Sequence, residues 1–412
     1  MKLIITIGIF TFLWSVICQA EDETNATDWH RWRGPNRDGI SSEGGWSSTW
    51  PEDGPEILWK VSVGLGYSSV SVSNGRVYTM GNVKNKDTVY CLNADTGDVV
   101  WEHSYECKQG SWEGTRIAPT VDGDRVYTLS RGGHLFCLNA ASGDIIWSKN
   151  LKGDLKAKMP QHGFACHPFI VDNMMILETG AAAGSIVAFD KMNGDVIWQS
   201  GKAKVGYSTP SLYRLDGKDY LTVFTGMNLL GINIPDGKIL WRHEWPTEYQ
   251  CNIATPIVSD DRIFISAGYS AGCALLQTNR DGDPKLLWKN EEMANHINTS
   301  VLWNGYLYGF HGAPKHNNDK GQLRCVDIET GDVKWKQDGL GKGSLMIADG
   351  KLVILGEKGE LAIVEPSPDS YKELARAKVI DGTCWTVPVL SNGRIYCRSH
   401  EGDLVCVDVR EH

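Results

Sequence analysis

We select eleven residues of this chain as candidates for a small-molecule site, because their side chains can stack on a ligand, pair with its charges or hydrogen-bond to it. They are Tyr67, Trp112, Glu113, Arg116, His162, His167, Tyr207, Asn252, His296, Lys342 and Trp385. Rings such as Trp112 and Trp385 stack on a flat ligand, and Arg116 and Lys342 can pair with its carboxylates. Two interpretations stay open: these residues form a ligand site, or they plug a channel and hydrogen-bond to one another.

Spacings typical of metal or nucleophile chemistry do not occur in the sequence. There is no C-x-x-C pair, no C-x-x-C-H haem motif and no H-x-x-x-H pair at helical spacing. His162 and His167 are five residues apart on a predicted loop, where histidines are usually solvated or bonded to the backbone. G-x-S-x-G is absent as well, so an α/β-hydrolase nucleophile is unsupported. We therefore predict no metal site.

The elements that must position the eleven residues are indicated by a repeated eleven-residue segment. Cys91 to Trp101 reads CLNADTGDVVW and Cys137 to Trp147 reads CLNAASGDIIW, and three further copies end at Trp198, Trp241 and Trp335. Each copy has a small residue first, glycine seventh and tryptophan eleventh. With two looser matches, the repeat tryptophans are Trp59, Trp101, Trp147, Trp198, Trp241, Trp288 and Trp335, spaced 42 to 51 residues apart. This period predicts propeller blades of four antiparallel strands.

The repeats predict an all-β, eight-bladed propeller. First strands are expected near Val70, Pro119, Pro168, Pro210, Pro256, Ser300, Ser344 and Pro388. The last unit ends after its third strand, and residues 57–63 supply an unattached fourth strand that carries Trp59. We expect this strand to close the ring, because a closed ring leaves no open sheet edge. A seven-bladed ring is the alternative, since the unit at 344–380 lacks its tryptophan.

The eleven candidate residues all precede predicted first strands. In a propeller, the residues that lead into each innermost strand surround the mouth of the central channel, a concavity of the kind that ligands use. We call these stretches the lead-in segments, and they are residues 66–69, 112–116, 161–167, 206–209, 250–255, 295–300, 342–344 and 383–386. The sequence therefore predicts that the candidates converge at one channel mouth.

The N-terminus predicts an exported protein. Residues 1–20 combine Lys2, an apolar stretch and a small-x-small site, which is typical of a signal peptide cleaved after Ala20. Residues 21–56 form a Trp/Gly/Pro-rich N-terminal strap, and residues 57–412 the propeller. The formal net charge of −9 argues against nucleic-acid binding, and no later stretch is long enough to span a bilayer. We expect a monomer in the periplasm or outside the cell.

The ten cysteines after Cys18 fall into two groups. Four of them occupy equivalent repeat positions in different blades, too far apart to be bridged, and are expected to be small buried hydrophobes: Cys91, Cys137, Cys325 and Cys406. The other six could pair in an oxidising compartment, with a connectivity that the sequence does not give: Cys107, Cys166, Cys251, Cys273, Cys384 and Cys397.

The eleven-residue segments resemble the tryptophan-docking motif of the pyrroloquinoline-quinone (PQQ) dehydrogenase repeat, over roughly residues 57–412. The resemblance implies that each tryptophan packs between neighbouring blades. Trp29 to Pro35 also resembles a W-x-x-W-R-G-P leader found ahead of PQQ-like propellers of planctomycete-type bacteria. The leader has two interpretations: a strap packed over the propeller, which we favour, or a segment that binds a partner.

The resemblance implies three functions. The favoured one is a BamB-like binding or scaffold protein of the cell envelope without catalysis, whose partner is an envelope protein or a small-molecule ligand. A PQQ-dependent dehydrogenase that oxidises an alcohol or sugar, with PQQ and calcium, is the alternative, although the family's adjacent cysteine pair is missing and the lead-in segments offer Glu113 and Asn252 but no aspartate as a base. A carbohydrate-binding propeller is the third, because exposed tryptophans suit sugar faces.

Overall fold

Eight antiparallel sheets form the body of the protein. The computed structural model describes residues 27–279, 282–312 and 320–411, so the predicted signal peptide lies outside the described residues. Each sheet contains four antiparallel strands in consecutive order, except that the last sheet combines three C-terminal strands with one from the N-terminal side. One sheet has an additional fifth strand, which also comes from the N-terminal side. The prediction of eight blades is confirmed, and the seven-bladed alternative is wrong because residues 344–378 form a complete sheet without the repeat tryptophan.

The strands are grouped by blade, from the inner to the outer edge. Blade 1 comprises Ser71–Ser73, Arg76–Val83, Lys86–Asn93 and Val99–Glu106. Blade 2 comprises Thr120–Asp122, Arg125–Leu129, His134–Asn139 and Ile145–Asn150. Blade 3 comprises Phe169–Val171, Met174–Glu178, Ile186–Asp190 and Val196–Ser200. Blade 4 comprises Ser211–Leu215, Lys218–Phe224, Asn228–Ile232 and Ile239–Glu244.

The second half of the ring repeats this arrangement. Blade 5 comprises Ile257–Ser259, Arg262–Ala267, Gly272–Gln277 and Lys285–Asn290. Blade 6 comprises Val301–Trp303, Tyr306–His311, Gln322–Asp327 and Val333–Gln337. Blade 7 comprises Ser344–Ala348, Lys351–Leu355, Glu360–Glu365 and Lys372–Lys378. Blade 8 comprises Val389–Ser391, Arg394–Arg398, Asp403–Asp408 and Ile57–Ser62, and the helical turns are Leu151–Asp154 and Glu248–Gln250.

Blade 8 closes the ring with strands from both ends of the chain, as the sequence predicts. Ile57–Ser62 runs antiparallel to Asp403–Asp408, and Trp59 lies opposite Cys406. The third strand of blade 8 would otherwise be an open edge with unpaired backbone groups. Because blade 8 needs both chain ends, the ring is complete only after the C-terminus has folded.

The repeat tryptophans join each blade to the next. The indole Nε1 of Trp59 donates to the carbonyl of Ala94 in blade 1 at 3.0 Å, and that of Trp101 donates to Ala140 in blade 2 at 2.9 Å. The same hydrogen bond is made by Trp147, Trp198, Trp288 and Trp335. The family resemblance implied that each tryptophan packs between neighbouring blades. Six of the seven repeat tryptophans make this hydrogen bond to the next blade.

The glycine at the seventh repeat position makes room for the indole. Gly97 has φ +76°, and a Cβ atom built on it would lie 2.8 Å from Cδ2 of Trp59. Gly143 has the same relation to Trp101 at 2.6 Å, and Gly237 to Trp198 at 2.5 Å. Any other side chain would strain the turn and displace the ring. The tryptophan of one repeat thus packs against the glycine of the next repeat, and this contact joins neighbouring blades.

Two junctions depart from this pattern. Trp241 donates to the hydroxyl of Tyr213 in its own blade, and Gly282, the glycine ahead of the next blade's tryptophan, has nothing within 4 Å. In blade 7, Arg376 stands opposite Ala362, where other blades have tryptophan, and it pairs with Glu373. The ring therefore tolerates the loss of the indole contact at two places.

Residues 27–56 cross the end of the channel opposite to the lead-in segments. The backbone carbonyls of Trp29, His30 and Gly39 accept from blades 1, 2 and 7, and Ile40–Ser41 adds a parallel fifth strand to blade 7. The Glu43 carboxylate accepts from the backbone N–H groups of residues 392 and 393 in blade 8. Contacts with so many blades support the strap interpretation, whose role stays a prediction.

All ten cysteines of the described residues are buried and have free thiols. The four cysteines at the first repeat position are fully buried, as predicted. None of the six cysteines that could have formed disulfides is paired. Within residues 27–279, 282–312 and 320–411, no helix has the length and hydrophobicity needed to cross a bilayer.

Replacement of Gly97 by alanine tests the inter-blade contact. Gly75 is the matched control, because it has φ +70° with nothing within 4 Å. Both alanines carry a left-handed penalty of about 1–2 kcal/mol, and Gly97→Ala adds overpacking against Trp59 of about 1–3 kcal/mol. We expect urea unfolding to give a lower free energy of unfolding for Gly97→Ala than for Gly75→Ala. Equal values would contradict the assigned role of the glycine.

Deletion of residues 28–50 tests the strap. We expect a loss of several kcal/mol or failure to fold, because Trp29 and Trp46 are each only 3% exposed, and removing one such buried ring costs about 3–5 kcal/mol. Trp29→Ala is the milder variant for use if the deletion does not fold, and exposed Thr49→Ala is the control. An unchanged melting temperature in the deletion would instead favour the partner-binding interpretation.

Candidate functional site

The lead-in segments enclose a single cavity at the channel mouth. Its volume is about 200 Å³, and eight of the eleven predicted residues line it: Tyr67, Trp112, Arg116, His162, His167, Tyr207, His296 and Trp385. They come together because the antiparallel blades all begin their innermost strands at the same end of the ring. Whether these residues bind a ligand stays a prediction.

The other three predicted residues lie outside the lining. Asn252 is fully buried, and its amide donates to the carbonyls of Thr225 and Trp245, which gives it a structural place between strands. Glu113 is exposed at the surface. Lys342 is not among the residues that line the cavity, and its backbone N–H donates to Glu357.

The sequence reasoning missed twelve lining residues. They are Trp32, Ser69, Ala165, Thr209, Cys251, Ile253, Thr255, Tyr269, Ile297, Thr299, Thr386 and Val387. Five of them, Ser69, Thr209, Thr255, Thr299 and Val387, stand two places before a first strand, so alignment of the segments ahead of the first strands would have found them. Trp32 and Tyr269 lie outside these segments, in the strap and in a turn of blade 5, and the repeats carry no signal for them.

Trp32 forms part of the deep end of the cavity. The strap brings its indole against His167, with ring centroids 4.3 Å apart and planes at 16°. Its Nε1 donates to the hydroxyl of Thr255 at 2.9 Å, so the ring is held by two blades. Because the strap crosses the far end of the ring, the channel becomes a cup that opens at the lead-in segments.

Stacked rings form one side of the mouth. Tyr67 lies between Trp385, with centroids 5.6 Å apart, and His400, with centroids 4.5 Å apart, and both pairs are nearly parallel. Trp385 Nε1 donates to Glu357 at 3.0 Å. Trp112 is 58% exposed and tilts over Trp385 at 5.9 Å. The stack presents flat apolar faces, and its outermost ring is open to solvent.

Three aromatic residues at the mouth have left-handed backbone conformations. Trp112 has φ 58°, Tyr249 φ 57° and Tyr269 φ 55°. Bulky residues avoid this region, where each costs about 1–3 kcal/mol, and such outliers concentrate at functional sites. Tyr249 and Tyr269 contact each other edge to face at 5.4 Å, on loops before and within blade 5. The mouth thus keeps aromatic rings in positions that the backbone alone disfavours.

Arg116 supplies the only charged side chain of the lining. Its guanidinium donates to the carbonyls of Trp112, Gly114 and His162 and lies 5.1 Å from the centroid of the Tyr67 ring. Burial, with a smaller contribution from Arg131, lowers the pKa of Arg116 to about 10, so it is charged at neutral pH. Among the described residues it has no ion-pair partner.

Two imidazoles of the lining, those of His162 and His167, are neutral at pH 7. Burial lowers the pKa of His167 to about 3, and its Nδ1 lies 2.9 Å from the hydroxyl of Thr209. Burial, and then the charges of Arg116 and Arg131, lower the pKa of His162. The lining contains no aspartate or glutamate, so it offers neither a carboxylate base nor the oxygen donors that calcium prefers.

A buried carboxyl group lies behind the wall. Glu178 is 1% exposed, its Oε1 accepts from the Gly206 N–H at 3.0 Å, and its Oε2 has no partner. Burial raises the pKa of Glu178 to about 8, so the group is protonated at neutral pH. Among the described residues, no group of three or more His, Cys, Asp or Glu side chains could hold a metal ion.

Comparison with known proteins identifies a family and a fold. The family model described as outer membrane protein assembly factor BamB matches residues 85–337 and 316–412. BamB from Moraxella catarrhalis has 15% identity and a TM-score of 0.63, with 86% of this chain and 99% of that chain covered. A search of curated proteins gave no match.

Two enzymes share the fold as well. Europium-containing methanol dehydrogenase has 11% identity and a TM-score of 0.71, with 91% of this chain and 90% of that chain covered. Quinohemoprotein alcohol dehydrogenase from Comamonas testosteroni has 12% identity and a TM-score of 0.66, with 94% and 81% covered. At these identities the likeness concerns the fold and not the activity.

Glu178→Gln should stabilise the protein in a pH-dependent way. The folded-state pKa of about 8 exceeds the unfolded value near 4.5, so the wild type loses stability as pH rises between these values. The variant lacks this loss, and its gain in melting temperature should grow from pH 5 to pH 8 and then level off. Glu401→Gln at an exposed site is the control. A gain that does not change with pH would contradict burial of an ionisable group.

Proposed function

The chain belongs to the PQQ-like, BamB-like β-propeller family, and we propose that it is a non-catalytic binding protein that takes a small ligand in the cavity at its channel mouth. The observation that carries the proposal is the composition of the lining. Preformed aromatic walls and one arginine surround a closed-ended cup without a carboxylate. Concave, mostly apolar sites with a few polar groups are typical of small-molecule binding.

The residues present do not fit PQQ with calcium. Calcium takes six to eight oxygen ligands in proteins, with carboxylates prominent among them, and no lining residue supplies one. PQQ carries three carboxylates, whereas Arg116 is the single cation of the lining. The sequence also lacks the adjacent cysteine pair that the resemblance led us to look for. We therefore derive no redox step for this chain.

We place the protein in the cell envelope. The apolar N-terminal stretch at residues 1–20 supports export, and the similarity to BamB supports a location where envelope proteins assemble. A protein partner remains compatible with this function, because the outer blade surfaces are separate from the cavity.

Incubation of the purified protein with PQQ and calcium chloride tests the proposal. We expect no retention of the quinone after gel filtration and no alcohol- or sugar-dependent reduction of an artificial dye. Stoichiometric retention of PQQ that Trp385→Ala abolishes, with dye reduction, would overturn the proposal in favour of the dehydrogenase alternative. Exposed Lys60→Gln is the matched control for loss of a surface cation.

A further inference from the structure

We propose that the cavity selects a small aromatic monocarboxylate, a single ring that bears one carboxylate. The inference rests on the proposed function and names the chemical class of its ligand. Three features of the cavity carry it: the flat faces at its mouth, its single uncompensated positive charge and the engagement of its hydroxyl groups elsewhere.

The flat faces favour a ring of limited size. Tyr67 and Trp385 are almost parallel, with planes at 18°, and Trp112 lies at the solvent side of the same stack. Aromatic rings stack on such faces in offset or edge-to-face arrangements. The cavity volume of about 200 Å³ is below the ~300–1,000 Å³ of pockets for drug-sized ligands, so the cavity favours one ring with a short substituent over a larger fused system.

The charge of Arg116 selects an anion. Three carbonyls hold its guanidinium in place, which leaves two of its five N–H donors for a ligand. No described carboxylate forms an ion pair with it, and no other arginine or lysine and no aspartate or glutamate lines the cavity. A planar carboxylate matches the fork of an arginine, and a partly buried cation without a partner strengthens that pairing. One arginine is matched by one carboxylate.

The same charge argues against a cationic ligand. Aromatic walls of this kind would otherwise suit an ammonium group through cation–π contacts. Arg116 lies under Tyr67, one of the rings that would have to take part, and would repel a second cation at this distance.

The hydroxyl groups argue against a neutral sugar. Ser69 donates to the carbonyl of Val387 at 2.6 Å, Thr209 bonds to His167, and Thr255 accepts from Trp32. These groups connect blades and the strap, so few polar partners remain for the several hydroxyls of a sugar ring. A buried sugar hydroxyl without a partner costs about 1–3 kcal/mol.

Titration of the whole protein with matched probes tests the ligand class. The probes are benzoate, benzyl alcohol, benzyltrimethylammonium and methyl glucoside, each added up to about 10 mM and followed by calorimetry. We expect benzoate to bind most tightly, and its affinity to fall as salt is raised, because the carboxylate pairs with a charged group. The salt series needs no substitution and therefore does not depend on any variant folding.

Two variants locate the interaction. Arg116→Gln should weaken benzoate binding about tenfold or more, the loss expected for a hydrogen-bonded charge pair, while benzyl alcohol binding stays the same. Arg116→Lys keeps the charge but not the fork and should have an intermediate effect. Arg214→Gln, at an exposed arginine remote in sequence, is the control and should change nothing.

Each other outcome has a distinct meaning. If methyl glucoside, benzyl alcohol or the ammonium probe binds at least as tightly as benzoate and Trp385→Ala abolishes that binding, the carboxylate inference is overturned and the proposed binding function is upheld. If benzoate binds but Arg116→Gln, with unchanged melting temperature, leaves its affinity the same, the inference is overturned too. If none of the four probes binds, both the carboxylate inference and the proposed binding function of this cavity are overturned.

Discussion

The contact between a tryptophan of one blade and a glycine of the next is the interaction on which the whole structure depends. The indole donates to a carbonyl of the neighbouring blade and covers a glycine whose missing side chain leaves the space. Because the same indole hydrogen bond is made at six of the eight junctions, most blades are fixed relative to the next without a long-range connection. A ring built this way needs its last blade to meet its first, and strand Ile57–Ser62 provides that junction with Trp59.

Ring closure creates the candidate site as a by-product of topology. Every blade starts its innermost strand at the same end, so short segments far apart in sequence become neighbours around one opening. The strap crosses the other end and places Trp32 against His167, which turns a channel into a cup. The backbones of Trp112, Tyr249 and Tyr269 have left-handed conformations that bulky residues rarely adopt. The rigidity of the ring is what makes a preformed aromatic cavity sustainable.

The shared fold does not transfer a shared chemistry. A methanol dehydrogenase, an alcohol dehydrogenase and BamB have the same arrangement of blades as this chain. The repeat residues that identify the family lie between blades, whereas the cavity is lined mainly by the lead-in segments. In this chain the lining has one arginine, three imidazoles and no carboxylate, and the buried carboxyl of Glu178, which lies behind the wall, carries its proton at neutral pH. Such a lining is suited to holding a molecule, and it contains no carboxylate that could act as a general base.

The sequence by itself predicted eight blades, with seven as the alternative, the positions of the first strands and the closure of the ring, because these follow from the local period of the repeats. It also located eight of the twenty residues that line the cavity, since each of these precedes a first strand. Only the tertiary structure decided that Asn252 hydrogen-bonds into the wall, that Glu113 lies on the surface and that Trp32 and Tyr269 reach the cavity. The physical reason is that a repeat fixes the backbone position of a residue, whereas the direction and partners of its side chain depend on contacts with blades and with a strap that lie far away along the chain.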